Sequence, residues 1–120
     1  IRARKYLKED GTKVYEIWGP LFFGSISAFN NKFDIKTDPK NIEIDFIDSK
    51  VSDFSGIEAI YILVEKYHKA DKVVKLTHLS DDCKAILHKA HPIFHGIIED
   101  DVNDPRYFVV SDLIKEGDLV

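Results

Sequence analysis

The chain has 120 residues, a formal net charge of -4, 44% hydrophobic residues and 32% charged residues. That length corresponds to one domain, and the composition is that of an ordinary globular protein. No basic stripe with interleaved aromatics occurs, which argues against nucleic acid as the main partner, and no apolar run reaches the roughly 18 residues of a membrane span.

Cys83 is the single cysteine, so an internal disulfide is excluded and a reducing compartment fits. There is no signal-peptide pattern. The chain has no Met, initiator included. A segment of a longer chain and a removed initiator explain this equally well.

In chain order, Arg2, Arg4 and Lys5 make the start basic. Asp10-Gly11 is a hairpin turn signal, so Ala3–Lys8 and Lys13–Trp18 are expected to pair antiparallel. Gly19-Pro20 is expected to end the second strand. Ile26, Phe29 and Phe33 mark a short helix, and at least one of the adjacent Phe22 and Phe23 is expected to plug the core. Asp38-Pro39-Lys40-Asn41 reads as a turn.

The stretch Asn41–Lys69 organises the rest. Ile42, Ile44 and Phe46 alternate with Glu43 and Asp45, which is the period of a strand with one buried face. Ile57, Ile60, Tyr61 and Val64 recur at helical spacing. Asp53-Phe54-Ser55-Gly56 therefore sits at the strand-to-helix turn. Ser55 and Glu58 form S-x-x-E, which predicts Ser55 as N-cap in a capping box. Gly56 permits close approach to the backbone. Such a helix end suits an anion, or a phosphate attached to Ser55.

Lys72–Leu76 is expected to be a short buried strand. Leu79-Ser80 then leads into a helix with Ser80 as N-cap, and Cys83, Ile86, Leu87 and Ala90 share its buried face. Pro92 ends it. Phe108–Val110 is expected to close the sheet, and Ser111 to cap a last helical turn. Strands and helices alternating at these lengths imply parallel pairing. The turns at Asp53–Gly56 and Leu79-Ser80 then fall at the carboxyl ends of neighbouring strands, where open α/β sheets place ligands.

Strand, then Asp53-Phe54-Ser55-Gly56-Ile57, then helix resembles the STAS domain, shared by sulfate transporters and bacterial anti-sigma factor antagonists. In the antagonists the serine at the position of Ser55 is phosphorylated. Gly19-Pro20-Leu21-Phe22-Phe23-Gly24 is similar to the Pro-Leu-Phe-Phe that opens the first helix in STAS domains of sulfate permease (SulP) transporters. Asp104-Pro105-Arg106-Tyr107, with the apolar pair after it and Asp112, resembles the end of those domains. Phe54 is a departure, since the antagonists usually carry a small polar residue there.

The resemblance runs from the first hairpin to Asp112. It implies an α/β fold, a mixed sheet of four to six strands with helices packed mainly on one side. It implies a single domain over residues 1–120, the C-terminal part of a membrane transporter, on the cytoplasmic face of the cell membrane. Its partners would be its own upstream transmembrane domain and a cytosolic regulatory protein, in a dimeric transporter. A nucleotide or phosphate would bind at the Ser55 helix end, with Asp53, Phe54, Ser55, Gly56, Leu79 and Ser80 as the binding residues. No cofactor is implied otherwise. A free-standing antagonist phosphorylated on Ser55 is the alternative, and Pro-Leu-Phe-Phe and Asp-Pro-x-Tyr favour the transporter.

Other constellations are weaker. His88, His91 and His95 with Cys83 have metal-like spacing, but Pro92 breaks the helix and only one thiol is present, so surface histidines are favoured. Glu99, Asp100, Asp101 and Asp104 do not follow the calcium-loop pattern and read as a solvated acidic loop. No nucleophile elbow, Walker A or G-x-G-x-x-G occurs, and Cys83 falls on a buried helix face where a thiol is inert. A catalytic role finds no complete set of residues.

Overall fold

The computed structural model describes residues 1–90, 94 and 96–99. Strand β1 (Arg2–Leu7) and strand β2 (Lys13–Leu21) form an antiparallel hairpin with Leu7 opposite Lys13 and Arg2 opposite Trp18. Its turn is closed by the Lys8 amide donating to the Thr12 carbonyl at 2.8 Å, and Gly11 supplies the left-handed residue, φ +89°.

A 3-10 turn (Phe23–Ser25) and the short helix α1 (Ile26–Asn30) follow, then strand β3 (Asn41–Val51), helix α2 (Phe54–Lys69), strand β4 (Val73–Thr77), helix α3 (Asp81–Ala90) and strand β5 (Ile98–Glu99). The sheet order is β1-β2-β3-β4-β5, and β2, β3, β4 and β5 run parallel. This is a mixed sheet of the expected class. Strand β5 corrects the sequence reading, which placed Glu99 in a solvated acidic loop: Glu99 instead pairs with Thr77 in the sheet. The expected strand Phe108–Val110 and the turn at Ser111 lie outside the described residues.

Alternation decides which face is covered. Tyr15, Ile17 and Leu21 of β2, Ile42, Ile44 and Phe46 of β3, and Val74 and Leu76 of β4 belong to one buried cluster. The same cluster contains Phe29 of α1, Ile57, Ile60, Leu63, Val64 and Tyr67 of α2, and Cys83 and Leu87 of α3. The helices therefore pack on the sheet face that carries these side chains. The intervening positions Glu43 and Asp45 are buried too, each with a partner: Lys8 Nζ donates to Glu43 at 2.7 Å, and His78 Nδ1 lies 2.7 Å from Asp45.

Two local expectations are corrected. The second strand does not end at Gly19-Pro20 but continues to Leu21 along β3. Strand β1 stops opposite Trp18, so Pro20 lies beyond the last β1 partner, where a missing amide costs no ladder bond. A register shift between Glu16 and Trp18 and the left-handed Gly19, φ +94°, turn the strand there. The helix predicted around Ile26, Phe29 and Phe33 ends at Asn30, and Phe33 packs beyond it against Tyr15 and Phe29.

Asp38 proves to be more than a turn residue. Its carboxylate is buried, and it accepts from Lys13 Nζ, the Tyr15 hydroxyl and the Tyr67 hydroxyl, each at 2.6 Å. Burial pushes the pKa of Asp38 up. The three hydrogen bonds outweigh that and hold it below its ordinary value. Burial, and then the bond to Asp38, push the Tyr67 hydroxyl far up. One carboxylate thus ties the connection before β3 to the start of β2 and the end of α2.

Candidate functional site

The site is built where β3 gives way to α2. Ser52 donates its amide to the Leu21 carbonyl at 2.9 Å, which ends the strand beside β2. Asp53 follows with extended backbone, φ -152°, and is the N-cap of α2: its Oδ1 accepts from the Gly56 amide at 2.9 Å. This corrects the assignment of Ser55 as cap. Asp and Ser are equally good caps. Asp53 wins because its second oxygen also accepts from the Phe23 amide at 3.0 Å, a partner supplied from the far end of β2. Ser55 lies inside the first helical turn, half-buried.

Gly56 is required by close approach. A β-carbon there would stand 2.8 Å from the Leu21 carbonyl oxygen and 3.0 Å from Val51 Cγ1. What approaches is the chain's own β2, so the first turn of α2 is seated on that strand's end.

The aromatics also differ from expectation. Neither Phe22 nor Phe23 is core: they are 40% and 76% exposed. Leu21 and Phe29, both fully buried, fill the space instead. The turn holding the two aromatics is fixed by Ser25, whose hydroxyl donates to the Pro20 carbonyl at 2.8 Å and accepts from the Phe22 amide at 3.1 Å. Phe54, the first residue of α2, is 63% exposed.

Across from α2, the Ser80 hydroxyl accepts from the Cys83 amide at 3.2 Å, the cap that the sequence predicts for α3. Asp81 and Asp82 stand in its first turn. His78, in a left-handed backbone with φ +60°, leads into this turn. Leu79 is buried, and Ile86, expected on the buried face, is 42% exposed. Burial pushes the Cys83 thiol up to about 11, which keeps it protonated and unreactive at neutral pH.

The turns after β3 and β4 line one cleft of about 340 Å³. Its wall is Lys50, Val51, Ser52, Asp53, Phe54, Ile57, Ser80, Asp82, Cys83 and Ile86. Of the residues singled out in the sequence, Asp53, Phe54 and Ser80 meet here. Ser55 and Gly56 belong to the adjoining turn but not to the wall. Leu79 lines a smaller neighbouring cleft of about 230 Å³ together with Phe46, Ser49 and His78. The cleft has an apolar floor and carboxylates at its rim. The Gly56 and Cys83 amides are already taken by Asp53 and Ser80.

His91, His95, Asp100, Asp101 and Asp104 lie outside the described residues. Among the described residues no group of three His, Cys, Asp or Glu is close enough to hold a metal ion, and no helix is long and apolar enough to cross a membrane. Sequence reasoning missed the Asp53 cap, the Asp38 clamp and the Asp45–His78 pair. Only Asp53 left a local signal, since any Asp one residue before a helical run is a candidate cap.

A family model described as "STAS domain" matches residues 4–104. An antisigma-factor antagonist STAS domain from Rhodobacter sphaeroides is similar at TM-score 0.57 and 25% identity, covering 62% of this chain and 82% of that one. A sulfate transporter family protein from Wolinella succinogenes is similar at TM-score 0.62 and 23% identity, covering 83% and 84%. A SulP transporter STAS domain from Vibrio cholerae is similar at TM-score 0.59 and 19% identity, covering 82% and 78%. No curated protein matches the chain significantly.

Proposed function

The chain belongs to the STAS domain family, and from that premise we propose that it is the regulatory domain of a SulP-type anion transporter, acting through protein contacts and not by catalysis. The observation that carries this is the exposure of Phe22, Phe23 and Phe54 at the end of the sheet where the cleft opens. Three exposed phenylalanines held by a hydrogen-bonded turn and a helix cap are a built surface, and large exposed apolar side chains grouped together mark contact sites. Phe22 and Phe23 belong to the Pro-Leu-Phe-Phe that resembles SulP transporters.

Ile1 lies at this same end, against Gly19, where a β-carbon would meet the Ile1 Cα at 3.5 Å. A membrane domain preceding Ile1 would deliver the chain beside the aromatic surface, on the cytoplasmic face. The basic Arg2-Ala3-Arg4-Lys5 fits a segment just inside a last membrane helix. A dimeric transporter would bring two such surfaces together.

The cleft is a poorer place for a nucleotide or phosphate than the sequence implied. Asp53 already sets a carboxylate at the positive end of α2. The test is the coding sequence immediately before Ile1. Hydrophobic spans there support the transporter domain, and a start codon immediately before the Ile1 codon refutes it.

A second reading, an antagonist switched by phosphorylation, is favoured by the half-buried position of Ser55 in the first turn of α2. A phosphate added there would charge the rim of the same surface. Phosphoserine at Ser55 in protein isolated from its native cell, with no membrane domain in the gene, is the result that selects it.

A further inference from the structure

We propose that the cleft between α2 and α3 receives a basic amphipathic helix of a partner protein. This rests on the reading of that end as a protein-docking surface, and it names the kind of partner. The floor is Ile57 and Cys83, 5% and 4% exposed, and the lips are Phe54 and Ile86, 63% and 42% exposed. At about 340 Å³ the cleft is at the small end of the roughly 300–1,000 Å³ of ligand pockets. It suits a few apolar side chains from one face of a helix laid across it, the helix-in-groove mode.

Charge chooses among such helices. Two carboxylates, Asp53 and Asp82, and one ammonium, Lys50, stand in the wall. Asp81, beside them, has Lys84 Nζ at 3.0 Å. Asp53 accepts one backbone bond on each oxygen, which leaves lone pairs for a lysine or arginine of the incoming helix. An acidic helix would meet Asp53 and Asp82 as like charges, and so would a phosphate or an anionic lipid surface. Complementary rim charges set partner choice and association rate more than total affinity.

The test uses the domain with two helix-forming peptides that share their leucines and differ in the polar face, one with lysines and one with glutamates. Amide NMR shifts locate the site, and titration gives Kd. The lysine peptide is expected to bind about tenfold more tightly at low salt, with its advantage shrinking toward about 0.5 M salt. Its shifts should centre on Phe54, Ile57, Cys83 and Ile86. The exposed substitution Asp82→Asn should weaken the lysine peptide and not the glutamate one, with a thermal melt showing that the fold is kept. Equal or tighter binding of the glutamate peptide at these residues overturns the basic-partner inference while leaving a docking site. Shifts from inorganic phosphate alone at the same amides overturn it in favour of an anion site. No shifts there from either peptide overturn the docking cleft as well, whatever the gene upstream of Ile1 encodes.

Discussion

Asp53→Ala deletes two hydrogen bonds at once. The first is the N-cap bond from the Gly56 amide at 2.9 Å, and the second is the bond from the Phe23 amide at 3.0 Å that holds the aromatic turn to α2. Loss of a cap costs about 1 kcal/mol. Loss of a second bond to a charged acceptor, in an exposed setting, adds about 1 kcal/mol. The expected destabilisation is thus about 2 kcal/mol, or roughly 8 °C in Tm for a domain of this size. Asp53→Asn keeps an equally good cap on its one carbonyl oxygen, but its amide NH2 cannot accept from the Phe23 amide. It loses that bond and the helix-end charge, and should fall between wild type and Asp53→Ala, at about 1 kcal/mol. Ser55→Ala removes no bond to the helix terminus and should stay within about 0.5 kcal/mol of wild type, since Ala is the better helix former. Urea melts followed by circular dichroism rank the three. If Ser55→Ala loses as much stability as Asp53→Ala, the assignment of the cap is wrong.

Gly56→Ala should cost about 1–3 kcal/mol, because its β-carbon meets the Leu21 carbonyl at 2.8 Å and backbone cannot step aside; a melt equal to wild type would show that α2 is not seated on β2. Phe29→Ala should cost about 3–5 kcal/mol and Phe23→Ser under about 0.5 kcal/mol, and the reverse order in denaturant melts would misplace the core. The Asp38 carboxyl titrates below 3.8 when folded, so the unfolded chain binds the extra proton first, and its stabilisation, complete above that pH, is lost as pH falls through the folded value. Asp38→Asn should therefore be less stable at neutral pH, yet show a shallower acid limb in melts taken across a pH series; an acid limb as steep as wild type would remove Asp38 from the account.

Much of the fold was legible because its signals are local and periodic. Ile42, Ile44 and Phe46 have a period of two, the α2 apolar residues recur at helical spacing, and Ser80 precedes two acids at a helix start. The misreadings share another cause, a choice decided by a distant residue. Asp53 and Ser55 are both competent caps, and the Phe23 amide, which only the fold brings near, favours Asp53. Phe22 and Phe23 are as apolar as Leu21 and Phe29, and hydrophobicity does not say which pair the sheet leaves outside. Asp38 before a proline looks like any turn, since Lys13, Tyr15 and Tyr67 meet it only after β2 and α2 have packed. Pro20 is compatible with a strand only because β1 has ended at Arg2.

The two ends of the sheet are unequal in width. Near Asp38, β1, β2, β3 and β4 lie side by side, and a single carboxylate cross-links three segments. Toward the cleft, β1 stops opposite Trp18 and β4 stops opposite Asp45. Among the described residues only β2 and β3 continue, from Trp18 beside Asp48 to Leu21 beside Val51. A two-stranded ribbon twists more and resists opening less than a full sheet. Local unfolding therefore has a direction in this molecule: it starts at the ribbon and meets its greatest resistance at the Asp38 end. The proposed docking surface is carried on the part of the fold that can adjust its shape, while the opposite end preserves the register to which it returns.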